Sequence, residues 1–175
     1  MSDSATNQGA GAGPGGTPGS GGSVAEWTSF TWHHTHKLDG QKRVAFPAPW
    51  RPKDPSVEFM LILWPHPAAG RKHAFILGMV PERFRRLQDK LAGGAYGDDK
   101  NWALKRRLFS NSISLPLDPA GRLCLPPDMA EAIGLQKDVF FSGGGADFEV
   151  WDPETFRRCE QAEESLATEG LRTLI

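Results

Sequence analysis

Two cysteines, one tyrosine and no long apolar run are what this chain of 175 residues offers where other chains offer more. Two thiols, Cys124 and Cys159, do not make a disulfide framework, and neither stands in a metal-ligand spacing. They read as buried or passive thiols in keeping with a reducing cytoplasm. No apolar stretch approaches the ~20 residues that a membrane-spanning helix needs. The N-terminus also lacks the basic-then-apolar order of a signal peptide, so the expected location is cytoplasmic, with no membrane partner. Neither sign of charge prevails: 20 Lys and Arg stand against 21 Asp and Glu, which argues against indiscriminate binding of polyanions. Catalytic sets are missing as well. There is no Ser/His/Asp constellation, no cysteine beside an activating base and no pair of carboxylates in a context that shifts their pKa values. His33, His34 and His36 form a cluster with no second group of ligands, and they read as solvent-facing strand residues rather than a metal site. The glycines 143–145 lack the Lys-Ser/Thr of a phosphate-binding loop and open no helix, so a hairpin turn is expected there. The expectation is therefore no enzyme, no cofactor and no metal.

What the chain does have is Gly and Pro, 20 and 14 of them. Many of the glycines fall in 1–23, a stretch of almost only Gly, Ser, Ala, Thr and Pro. Such a segment buries too little apolar surface to offset its ordering entropy and is expected to be disordered. The charge, neutral overall, is unevenly placed. Between 31 and 53 the bases Lys37, Lys42, Arg43, Arg51 and Lys53 face Asp39 alone, while the C-terminal end is rich in Glu. That asymmetry permits a local nucleic-acid surface on a chain of no net basicity.

The main organising feature is a repeat. Residues 38–47 read Leu-Asp-Gly-Gln-Lys-Arg-Val-Ala-Phe-Pro, and residues 117–126 read Leu-Asp-Pro-Ala-Gly-Arg-Leu-Cys-Leu-Pro. In each copy an Asp precedes an Arg by four positions, and an apolar-x-apolar-Pro run follows. The short carboxylates of Asp39 and Asp118 can accept from backbone N–H groups two residues on and hold a turn closed. Gly121 supplies the positive φ that such turns often need. Alternation then places Val44 and Phe46 on one strand face until Pro47 removes a ladder donor. A second echo follows in the same order: Pro-Glu-Arg-Phe-Arg-Arg at 81–86 and Pro-Glu-Thr-Phe-Arg-Arg at 153–158. One Asp-x-x-x-Arg is an ordinary surface ion pair, but two in the same apolar frame point to tandem duplication.

Periodicity predicts strands at 29–38, 57–64 and 74–79 in the first unit, with Phe30 and Trp32 alternating on the first. The prolines between 47 and 55 forbid a long helix there. A helix at 81–91 buries Phe84, Leu87 and Leu91, Gly93 and Gly94 break it, and another runs over 101–108. The second unit reads as strand 111–117, turn, strand, short helix 127–133 closed by Gly134, strands 138–142 and 148–151, and a helix capped by Asp152. The units are expected at 28–108 and 109–160, with 161–175 as the end of the helix and a tail.

In these motifs the chain resembles the MraZ family of bacterial transcriptional regulators, over about 30–158. The resemblance implies a mainly β, α+β fold. It implies two tandem AbrB/SpoVT-like repeats forming a swapped-hairpin, double-split β-barrel. It also implies a ring-like homo-oligomer that binds double-stranded DNA at direct repeats upstream of its own division and cell-wall gene cluster, in the nucleoid. Arg43 and Arg122, with Lys42 and Lys37, are then the DNA-binding residues, and Asp39, Asp118 and Gly121 structure the turns. One departure stands out: the family usually has Lys-Gly-Arg in the first turn, where this chain has Gln41-Lys42-Arg43. The alternatives are an oligomeric protein-interaction scaffold using Arg85, Arg86, Arg157 and Arg158, and a His-dependent metal hydrolase.

Overall fold

A computed structural model describes residues 29–92 and 99–174. The segment 1–23, expected to be disordered, and the Gly93-Gly94 helix break lie outside these residues. Among the described residues twelve strands and α-helices follow one another: β1 (His33–Lys37), β2 (Arg43–Ala45), β3 (Glu58–Trp64), β4 (Phe75–Met79), α1 (Pro81–Ala92), α2 (Asp99–Phe109), β5 (Ser112–Pro116), β6 (Arg122–Cys124), α3 (Pro127–Ala132), β7 (Asp138–Gly143), β8 (Asp147–Trp151) and α4 (Pro153–Leu174). The fold is mainly β with a few helices, an α+β arrangement.

The duplication is visible in the strand order. One six-stranded antiparallel sheet runs β1-β7-β8-β4-β3-β5, and a separate ribbon pairs β2 with β6. Exchanging β1 with β5, β3 with β7 and β4 with β8 reproduces the same order read from the other edge. Each unit therefore lends its first strand to the other: β1 lies on β7, and β5 lies on β3. The interleaving expected of swapped hairpins is present. The described strands, however, pair as an open sheet plus a ribbon, and their hydrogen bonds do not close a barrel.

Alternation builds the core. Val44 and Leu123 face each other from the ribbon with no exposed surface, and Phe46, Trp50, Phe59, Phe141 and Phe148 fill the space between ribbon and sheet. The rings of Phe46 and Phe148 meet edge to face at 5.1 Å, an arrangement that adds specific attraction to area burial. Each fully buried apolar side chain contributes roughly 1.5–3 kcal/mol.

Two expectations change at the N-terminal edge. The strand expected over 29–38 is shorter, because Trp32 takes φ 71° and interrupts it, leaving Phe30 to bridge Gly145 in isolation. Phe30 is buried, whereas Trp32 is 73% exposed and stacks on His33. Of the three histidines only His33 lies on the open face. His34 meets Trp50 edge-on at 5.1 Å, and His36 meets Phe141. At the C-terminal end Asp152 accepts from the Thr155 N–H and hydroxyl, the expected cap, and α4 runs unbroken through position 160 to Leu174.

Candidate nucleic-acid interface

Both turns close in the same way. In the first, Asp39 Oδ1 accepts from the N–H groups of Gln41 and Arg43, each at 2.9 Å, and Oδ2 accepts from Arg43 Nε at 2.7 Å. In the second, Asp118 Oδ1 accepts from Ala120 and Arg122, and Oδ2 accepts from Arg122 Nε at the same distances. A backbone pair completes each turn, Asp39 N–H to Arg43 O and Asp118 N–H to Arg122 O. The residue before each Arg is left-handed, Lys42 at φ 59° and Gly121 at φ 74°. The non-glycine first turn thus keeps the glycine turn's backbone shape.

The ribbon fixes the relation between the turns. Arg43 stands opposite Cys124, and Arg122 opposite Ala45. Since neighbouring Val44 and Leu123 point into the core, the two arginines lie on the outward face. They are diagonal neighbours across the pair, with Cα atoms about 7–8 Å apart. Each turn tip is tied to the opposite strand, with Phe46 N–H donating to Gly121 O and Leu125 N–H to Lys42 O. The turns therefore occupy the two ends of one short rigid ribbon.

Electrostatics follow from those bonds. Backbone donation from Arg43 holds the Asp39 carboxyl below the ordinary range, helped by the Arg43 side chain, and Arg122 does the same for Asp118. The hydrogen bond that Arg122 donates to Asp118 raises the guanidinium's pKa in return. Of each guanidinium, the Asp engages only Nε. The terminal amino groups, four donors on each fork, take no other hydrogen bond among the described residues.

Arg51 is the residue that sequence reading missed, having counted it only in the basic balance. Its Nε donates to Phe46 O at 3.1 Å, and its guanidinium lies against Gly121, where a Cβ would come within 2.7 Å of it. No local motif marks it, because its place depends on the Ala48–Trp50 helical turn folding back over the second unit. Lys37, by contrast, pairs with Asp138 at 2.6 Å on the sheet edge. Cys124 shares the ribbon's outward face and is half-exposed, while Cys159 is buried, and burial pushes its thiol up. Among the described residues no group of three His, Cys, Asp or Glu is placed to hold a metal, and no helix is long and apolar enough to cross a membrane.

A family model described as "MraZ protein", antitoxin-like, matches residues 108–174, the unit that keeps Gly121. The transcriptional regulator MraZ of Ruegeria sp. is 28% identical over 145 residues, 77% of this chain and 83% of its own. These likenesses support membership of the MraZ family. The MraZ regulators of Burkholderia cenocepacia and Burkholderia mallei are 42% identical over 65 residues, which is 37% of this chain and 44% of theirs. The matched part therefore spans less than half of those Burkholderia regulators.

Proposed function

We propose that this chain is a sequence-specific DNA-binding transcriptional regulator, with the β2–β6 ribbon as its reading head. The observation that carries the proposal is the pair of Asp-braced arginines on one outward ribbon face. A two-stranded ribbon fits the major groove of B-DNA, about 12 Å wide, where a guanidinium fork suits the O6/N7 edge of guanine. Asp39 and Asp118 act as positioning residues, fixing each fork before contact so that little side-chain entropy is lost on binding. Lys42 and Arg51 add one cation at each turn, and Lys37 flanks them at the sheet edge; these suit phosphates rather than bases.

One chain presents only two forks, so the reading includes a ring-like homo-oligomer that repeats them along an operator of direct repeats upstream of its own division and cell-wall genes. The interleaved sheet supports the finer fold reading of two AbrB/SpoVT-like repeats, at 28–108 and 109–160, forming a swapped-hairpin barrel with the ribbon as its mouth. The protein then works in the cytoplasm at the nucleoid, without enzymatic activity or cofactor. The scaffold reading loses part of its footing, because Arg158 donates to the carbonyls of Ala68 and Ala69 within the fold.

The test is a titration of the DNA upstream of the chain's own gene with Arg43→Ala and Arg122→Ala. Each variant should fold normally and lose about 1–3 kcal/mol per recognised base, roughly 5- to 150-fold in affinity. Wild-type affinity in both folded variants removes the assignment.

A further inference from the structure

Apart from Trp32, stacked on His33, and Trp64, the large apolar side chains that stay exposed gather, among the described residues, at two places. Trp102, Leu104 and Phe109 project from α2, and Ile113 from the edge strand β5 that follows it. Leu166, Leu171 and Leu174 project from the last turns of α4, where Leu174 is 84% exposed. Most of these residues lie outside the helices' own packing: α2 buries Leu108, with Phe109 meeting Phe84 edge-on at 6.0 Å, and α4 buries Thr155 and Cys159 near its start. Exposed apolar groups concentrated in this way, rather than scattered, mark an interaction surface.

The two places carry opposite charge. Lys105, Arg106 and Arg107 surround the apolar groups of α2, with Lys105 over the Trp102 ring at 5.6 Å. Beside α4 lies a cleft of about 690 Å³, lined by Trp64, Glu149, Trp151, Glu160, Glu163, Glu164 and Leu171, among others, with no Lys or Arg in its lining. His66 Nδ1 accepts from the Ala68 N–H, so the neutral ring carries its proton on Nε2 and donates to Glu163 at 2.7 Å. Trp151 Nε1 donates to Glu149 Oε2 at 2.8 Å, and burial holds the Glu149 carboxyl above its ordinary range. Two tethered carboxylates among tryptophan rings form a receptor for a cationic group, since ring faces and carboxylates both attract it.

We infer that the cationic α2–β5 surface of one copy docks on the acidic, leucine-bearing α4 cleft of the next. The inference rests on the oligomeric reading above and names the surfaces that would meet. Charge complementarity selects a second copy as occupant, because this chain itself carries both halves of the match. The two surfaces differ, so the contact is head-to-tail, the kind that repeats into a ring when its rotation closes. Opposite patches also disfavour like-to-like pairing.

The test uses full-length protein and mass measurement in solution, with circular dichroism to verify folding. A Lys105→Glu/Arg106→Glu/Arg107→Glu chain and a Glu160→Lys/Glu163→Lys/Glu164→Lys chain should each remain monomeric where the wild type assembles. Mixed in equal amounts, the two should assemble with alternating chains, because the reversed helix of the first then meets the reversed cleft of the second and the unchanged helix of the second meets the unchanged cleft of the first. A chain carrying both reversals should regain assembly, a result that also proves the substitutions compatible with folding. Wild-type assembly unaffected by either reversal overturns this interface and leaves the ring reading standing. A wild type that is itself monomeric at every concentration overturns both.

Discussion

The Asp118 carboxylate accepts three hydrogen bonds, all from its own turn, so its effect on function runs through the geometry of Arg122. Its folded pKa lies below the unfolded value, as does that of Asp39. A carboxylate depressed in this way contributes stability above its unfolded pKa, near 3.9, and loses it as pH falls through the lower folded value. Asp118→Asn should therefore lower the melting temperature at neutral pH while flattening its fall below about pH 4, a trend that calorimetry across pH would reveal. Lys42 presents the opposite balance. A side chain at φ 59° costs about 1–2 kcal/mol that Gly121 does not incur. Lys42→Gly should raise the melting temperature, weaken specific and non-specific DNA binding alike, and flatten the slope of log affinity against log salt by about 0.9. A variant no more stable, with an unchanged salt slope, would show that Lys42 makes no phosphate contact.

Among the elements, the central strand pair constrains the fold most tightly. Gly78 of β4 lies directly opposite Phe148 of β8, and a Cβ at Gly78 would collide with the Phe148 ring, which sits at the centre of the aromatic cluster. The missing side chain is what allows that ring to lie across the backbone. Gly78→Ala should cost about 1–3 kcal/mol in urea unfolding through overpacking. No cost at all would mean that the ring can move aside. The ribbon is held differently, by Val44 and Leu123 below it and by Phe46 and Leu125 bonding to the opposite turns. It is three residues a side, too short to persist alone. Its rigidity, and the fixed spacing of the arginine forks, is borrowed from the core.

Across the whole molecule the two units are not separable. In isolation the first retains the β3–β4 hairpin and loses the partners of β1 and β2; the second retains β7–β8 and loses those of β5 and β6. A lone hairpin is marginal in water. A chain ending at residue 108, and another beginning at 109, should each be largely unfolded as a monomer and gain ordered circular dichroism when mixed. Pairing of one half with itself, by the same swap, should appear only as a concentration-dependent signal. Halves that melt cooperatively as monomers would overturn this account of the core.

Much of this was legible in the residues themselves. The Asp-x-x-x-Arg repeat predicts both turns, because the reach of an Asp side chain to N–H groups two and four residues on is a local property. The left-handed residue before each Arg follows from the match of Lys42 to Gly121, and the α4 cap from Asp152 and Pro153. Hydrophobic alternation likewise locates most strands and the inward faces of β2 and β6. Other features were set only by tertiary contacts. Trp32 leaves the strand pattern where Phe30 is drawn to Gly145, and His34 and His36 turn towards Trp50 and Phe141 rather than water. Arg51 reaches Gly121 only because one unit folds over the other. The exchange of β1 and β5 between units has no local signature, since an isolated strand carries the same alternation whichever neighbour it meets. Partner choice is decided by which arrangement buries Val44, Leu123 and the aromatic cluster together, a property of the assembled core rather than of any segment.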